Sequence, residues 1–252
     1  MTSAPVGTPP QRLARAAGAL YLVNIVGGFF AIGIVPLLLV GPDPATTAQN
    51  IQAHEFLYRS GITAHVLVVL TNIPLAVIFY DLFKVVHRRI ALLDVAFILV
   101  ATAIEAAGLV GQFTPLILLG SGPYGGDLPA AQLHALAYLP LQVSDADYIV
   151  HTIFFGFDIL CMAYLVLKSQ FLPKAIAILL AVDGLAYLLY GFGHILAPAF
   201  AAQLVPWIQL PALLGEGALC LWLLLKGVDV QHWNNQARAA GTIAPSPAEV
   251  LL

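Results

Sequence analysis

Four carboxylates, Glu105, Asp158, Asp183 and Glu216, stand inside long apolar stretches where an ionisable side chain is costly. In a segment that spans lipid, such residues mark ion paths, relays or binding sites by default. Their spacing to other polar residues is regular. Seven residues make about two helical turns, so residues seven apart share nearly one face. Asp158 follows His151 by seven, Glu216 follows Gln209 by seven and Gln112 follows Glu105 by seven. Asp94 joins the face of Glu105 at a step of eleven, and His65 and Asn72 are again seven apart. Asp183, Tyr187, Tyr190 and His194 succeed one another at steps of four, three and four, while Asn24 stands beside Gly27 and Gly28. Polar faces in lipid turn toward a bundle interior, so these stripes are expected to converge. The ligand or relay candidates are Glu216, Asp158, Asp183, Glu105, Tyr187, Asn24 and Asn72.

With a rise of about 1.5 Å per residue, Asp158, Asp183, Glu216, Asn24 and Asn72 fall near the middle of the layer, with Glu105 slightly above. His65, His151 and His194 fall in the outer half, above the carboxylates. Three imidazoles with carboxylates at one level could bind zinc or iron, and two could ligate a haem. They could equally form a histidine–carboxylate proton relay, or each hydrogen-bond a neighbour. No His-Glu-x-x-His or similar local signature is present, so no cofactor is expected; metal or haem at His65, His151 and His194 stays the alternative. Asp81 and Asp94 are expected as charge partners of the basic 84–89 stretch at the membrane edge.

The elements that must hold these residues follow from composition. Hydrophobic residues make up 60% of the 252 and charged residues 9%, at a mean hydropathy of +0.91. Soluble domains carry about 25% charged residues, so this surface does not face water alone. Runs of about 20 apolar residues cross the hydrocarbon layer as helices. They lie near 13–40, 60–83, 90–119, 144–168, 173–196 and 204–226, and none has the period-two alternation of a barrel strand. The expected fold is an all-α membrane protein, a six-transmembrane-helix bundle without broken segments or internal repeats. Residues 1–11 are expected as a disordered cytoplasmic N-terminus, 12–228 as the membrane domain, and 229–252 as a disordered cytoplasmic tail.

Arg12, Arg15, Lys84, Arg88, Arg89, Lys168, Lys174, Lys226 and Arg238 fall on one side of this arrangement, and Arg59 alone on the other. The positive-inside bias then puts the protein in the cell membrane with both termini cytoplasmic. The apolar run after Arg15 is far longer than the 7–15 residues of a signal-peptide core, so it reads as the first span. On the outer side, Asp43-Pro44 reads as a helix cap and first turn, and Ala45–Tyr58 as a short interfacial helix. A second interfacial helix is expected after Asp127, through Leu128, Leu133, Leu136, Tyr138 and Leu139. Gly120–Gly126 reads as a turn rather than a phosphate loop. The two cysteines, Cys161 and Cys220, each follow a carboxylate by three or four residues; small packing residues and a shared metal site are the two readings.

Several stretches resemble a bacterial membrane family, the domain of unknown function 4386. The resemblance rests on Arg12-Leu13-Ala14, Glu55-Phe56-Leu57-Tyr58-Arg59 and Lys168-Ser169-x-x-Leu172-Pro173. Most specific is the closing stretch Gly215-Glu216-x-x-Leu219-x-Leu221-Trp222-Leu223-Leu224-x-Lys226-Gly227-Val228. Together these motifs cover residues 12–228. The resemblance implies a compact helical membrane bundle and no particular activity. Of the motif residues, Glu216 is the sole carboxylate at membrane depth, and His65, His151 and His194 lie outside the matching stretches.

The functional expectation is a protein of the lipid bilayer that binds a small or amphipathic ligand in a polar intramembrane cavity, or serves as an accessory membrane subunit. The alternative is an intramembrane enzyme using buried carboxylates as general acid or base. The absence of broken helices and repeats argues against a conventional secondary transporter. No basic patch for nucleic acid is present, and the sequence is silent on oligomeric state.

Overall fold

The computed structural model describes residues 9–120, 128–208 and 210–243. The expected 121–126 turn, Asp127, Gln209 and both extreme termini lie outside the described residues. The described chain is helical, without strands. Its helices run in order α1 (Pro10–Gly28), a π-helical segment (Phe29–Ile34), α2 (Val35–Leu39), α3 (Pro44–Ala53), α4 (Glu55–Gly111) and α5 (Thr114–Leu119). They continue as α6 (Ala130–Lys168), α7 (Lys174–Leu196), α8 (Pro198–Ile208), α9 (Leu210–Leu225) and α10 (Val230–Ala239). Four helical stretches are long and apolar enough to cross a membrane: Pro10–Leu39, Glu55–Leu119, Ala130–Lys168 and Lys174–Leu196. Leu210–Leu225 is a shorter apolar helix. The molecule is a multi-pass membrane bundle.

Its surface is inverted relative to a water-soluble fold. Leu37, Phe56, Phe29, Trp207 and Leu213 are exposed, whereas Asp94, Glu105, Asp158, Asp183 and Glu216 are buried. Lipid tolerates the first set, and the second needs partners that only the interior supplies. Within α4, His87 departs from helical geometry at φ −159° and ψ 97°, which divides the expected 60–83 and 90–119 runs. The basic residues around that break share one end of the bundle with the start of α1, the α6–α7 turn and the end of α9. There the Gln11 side chain donates to the Lys226 carbonyl and Trp233 Nε1 donates to the Leu82 carbonyl. We refer to this as the basic end, and to the opposite side, with α3 and Arg59, as the far end.

Helices approach most closely where side chains vanish. A Cβ on Gly18 would lie 2.5 Å from the Leu224 backbone nitrogen, so α1 crosses α9 almost backbone to backbone. Gly156 and Gly184 do the same for α6 and α7, each facing the other's carbonyl. Small residues at crossings are how helices associate in lipid, where packing replaces the hydrophobic drive.

Four expectations are corrected. The stretch after residue 128 is no separate interfacial helix. It is the first part of α6, which runs unbroken through Pro140, because a proline can be carried in a long helix whose neighbours supply the packing. The first run is interrupted by the π-helical turn, and a further break at Gln112–Phe113 separates α4 from α5, so the helices are not free of broken segments. The expected disordered tail contains α10: Asp229 caps it by accepting from the His232 backbone N–H at 3.0 Å, and Ala237 is fully buried. Finally, Asp94 is no edge charge. It is 2% exposed, whereas Asp81 does pair with Lys84 at the basic end. The first outer helix forms as expected, with Asp43 accepting from Thr46 N at 2.9 Å and Pro44 in its first turn.

Candidate functional site

Polar side chains meet inside the bundle in a ladder that climbs from the basic end to the far end. Its lowest rung joins α4 and α6, where the buried Asp94 and Asp158 line one small chamber. The chamber, of about 30 Å³, is walled by Asn24, Asn72 and Phe155 among others. The next rung is Glu216 on α9. Its two oxygens accept from two phenols, Tyr21 of α1 at 2.7 Å and Tyr187 of α7 at 2.9 Å. Above it, Asn24 donates to Asn72, and Asn72 donates to Thr102 Oγ1 at 3.2 Å.

The uppermost rung is built on Glu105. His65 Nε2 donates to Glu105 Oε1 at 3.0 Å, and Gln112 donates to His65 Nδ1 at 3.3 Å. These two partners fix one tautomer of His65, with its proton on Nε2. On the other side, His151 Nδ1 donates to the Ala101 carbonyl at 3.0 Å and lies 4.0 Å from Glu105 Oε2. The Glu105 carboxyl group is therefore held between two imidazoles.

Between the Glu216 and Glu105 rungs opens a cavity of about 540 Å³. Asn24, Asn72, Glu105, His151, Tyr187 and Glu216 all reach it, and its remaining wall is aliphatic and aromatic. One side is a row of rings: Tyr148 stacks on His151 at 5.8 Å, His151 on Phe155 at 5.5 Å, and Phe155 meets Tyr187 edge-on at 5.1 Å. The opposite side is the π-helical turn, through Phe29, Ile32 and Gly33. Phe29 and Ile32, with Leu210 and Leu213 of α9, line the cavity and are also exposed on the outside of the bundle. They form the rim of a sideways mouth. The mouth exists because α1 holds α9 at Gly18–Leu224, whereas the π segment and α2 turn away to pack on α4.

Of the residues singled out by spacing, Glu105, Glu216, Tyr187, Asn24, Asn72 and His151 come together around this cavity, and His65 stands directly behind Glu105. Asp158 sits one chamber lower. Asp183 is 1% exposed; its Cβ packs toward Gly215, and among the described residues neither carboxyl oxygen has a hydrogen-bond partner. His194 is not part of the cavity. It donates to the Tyr190 carbonyl at 2.9 Å and stacks obliquely on that ring, so the three histidines do not share one chamber. Among the described residues no three His, Cys, Asp or Glu side chains gather to hold a metal ion. Cys220 contacts the Gly18 carbonyl at the α1–α9 crossing, a packing position.

Four contributors were missed by counting polar residues at sevens: Tyr21, Thr102, Tyr148 and Phe155. Shorter steps would have found them. Tyr21 precedes Asn24 by three, Thr102 precedes Glu105 by three, and Tyr148, His151 and Phe155 follow at three and four, each spacing placing its members on one face.

No curated protein and no solved structure matches the chain. A family model described as "Domain of unknown function (DUF4386)" matches residues 16–227. That span includes every rung of the ladder and both sides of the cavity, and the chain belongs to the family of the domain of unknown function 4386.

Proposed function

We propose that this protein is a six-span membrane protein of the cell membrane, with its basic end in the cytoplasm, that binds a small amphipathic molecule in the cavity between Glu105 and Glu216. The observation that carries the reading is the cavity itself. Its 540 Å³ falls in the range of small-molecule sites, about 300–1,000 Å³, and it combines an apolar wall with a few convergent polar groups. Six crossings follow if His87 divides α4 into two spans and α8–α9 supply the last.

A second reading, an intramembrane enzyme, draws on the Gln112–His65–Glu105 chain, in which a carboxylate faces the cavity and an oriented imidazole backs it. That is the arrangement of a general base and its orienting partner. A metal or haem centre has no such support.

The ligand-binding reading is tested with 1-aminoanthracene, a fluorescent amphiphile, titrated into purified protein in maltoside micelles. Saturable binding is expected, and Gly217→Trp is expected to abolish it without lowering the melting temperature, because a Cβ at Gly217 meets nothing within 4 Å while the residue lines the cavity. Non-saturable partitioning that Gly217→Trp leaves unchanged would overturn the proposal.

A further inference from the structure

We infer that the cavity selects a lipophilic organic monocation, which reaches it sideways from the membrane through the mouth between the π-helical turn and α9. This rests on the ligand-binding reading above and adds the charge of the ligand and its route.

The charge follows from what the wall contains. Among the described residues its acidic side chains are Glu105 and Glu216, set on different helices, and no Lys or Arg lines it. Glu216 accepts from a separate phenol at each oxygen, the pattern that satisfies a carboxylate and holds it in place while leaving further lone pairs for a ligand. Between the two acids runs the row of Tyr148, His151, Phe155 and Tyr187 rings. Aromatic faces carry negative quadrupole charge and attract ammonium and related cations, most strongly when water is excluded. Acids and ring faces together thus favour a positive, weakly hydrated ligand. A phosphate or carboxylate brought into the same space would meet no Lys or Arg among the described residues, and His151, the imidazole in the wall, already donates its Nδ1–H to the Ala101 carbonyl; burying an unmatched charge is costly. That argues against an anion and against a zwitterionic lipid headgroup.

The route follows from the rim. Phe29 and Leu213 line the cavity and are 69% and 66% exposed, so the wall there is one residue thick and faces the lipid. Gly28 and Gly217 stand on either side of this opening, and a Cβ at either would meet nothing within 4 Å. Two helices that are in backbone contact at Gly18–Leu224 therefore part by this level, and the side chains that would close the gap are absent.

The test compares two ions of one shape and opposite charge. Tetraphenylphosphonium and tetraphenylborate are titrated separately into the full-length protein in maltoside micelles by calorimetry, with 1-aminoanthracene as the uncharged arm and dodecylphosphocholine as the zwitterionic one. The expected result is saturable binding of tetraphenylphosphonium only among the charged probes. Glu216→Gln should weaken it about tenfold or more, the loss of one charge-assisted contact. Gly28→Phe should slow association of the phosphonium more than it changes its affinity. Equal or tighter binding of the borate, or competition by phosphocholine as strong as by the phosphonium, would overturn the charge inference while leaving a ligand site standing. An unchanged association rate in Gly28→Phe would overturn the sideways route. If aminoanthracene fails as well, the ligand-binding reading falls with it.

Discussion

The Glu105 carboxyl group illustrates how single residues settle in this interior. It is 8% exposed, yet each oxygen faces an imidazole, and the nearer imidazole is itself held by Gln112. A buried acid with this many oriented neighbours is bound into a network, and removing one member strands the others. A double-mutant cycle on His65→Ala and Glu105→Ala measures the link. Hydrogen bonds inside membrane bundles couple by roughly 0.5–2 kcal/mol, less than their burial would indicate, because the unfolded chain in lipid also finds partners. A coupling in that range is expected in unfolding titrations; additive single effects would mean that the two groups do not act as a unit. Asp183 is the contrast. It is more deeply buried and has no protein partner among the described residues for either oxygen. The sequence could rank both as costly acids on polar stripes, but it could not tell them apart. Partnering depends on the rotation of neighbouring helices, and that rotation is decided by close approaches such as Gly215 against α7, which no seven-residue count contains.

Among elements, the long apolar helices were legible and the irregular ones were not, for a physical reason. Membrane depth fixes the length of an apolar run, so Lys174–Leu196 can be read almost to the residue. The π-helical turn leaves no such trace, since Phe29–Ile34 is as apolar as its flanks; one extra residue per turn is invisible to hydropathy, although such turns gather at functional sites. The α10 helix was hidden differently. Gly227 at φ +74° ends α9 and the following residues are polar, so the stretch looked like a tail. Its local signals were an aspartate cap at Asp229 and the pair Trp233 and Ala237 four apart on one face. The His232 backbone N–H, donated to the Asp229 carboxylate, holds that carboxyl below the ordinary aspartate value, with further help from the His232 ring 2.9 Å away. A group lowered in the folded state adds its stabilisation in full above its unfolded value, about 3.9 for aspartate, and loses it as pH falls through the lowered folded value. Hydrogen exchange should therefore show α10 amides protected at neutral pH and losing protection on acidification through that window. In Asp229→Ala, protection should be lower at neutral pH and nearly independent of pH across the same range. Wild-type protection in the alanine variant would show that Trp233 and Gln236 alone dock the helix.

For the molecule as a whole, the decisive asymmetry is charge by side. Nine of the ten Lys and Arg residues belong to the basic end, and the tenth, Arg59, is neutralised at the far end by Glu55. Folding explains why the two ends differ in more than charge. At the basic end α1, α9 and α10 are tied to one another and to α4 through Gln11, Cys220 and Trp233, so the bundle is closed there. Toward the far end α1 and α9 separate around the cavity and its mouth. On the proposed ligand-binding reading, a bundle closed on its basic side and open above it exchanges its ligand with the membrane or the far compartment, and not with the basic side without rearrangement. The proposed orientation puts the closed side in the cytoplasm, because translocating a cluster of Lys and Arg is disfavoured. Single cysteines in a chain lacking Cys161 and Cys220 test this directly with a membrane-impermeant maleimide applied to intact cells. Positions in 41–58 and 128–139 should label from outside, and positions in 85–89 only after the membrane is opened. Labelling of 85–89 in intact cells would invert the orientation, and labelling of 41–58 on one side with 128–139 on the other would remove a span from the count. Either result would move the closed end of the cavity to the other side of the membrane or break the pairing of helices that forms it.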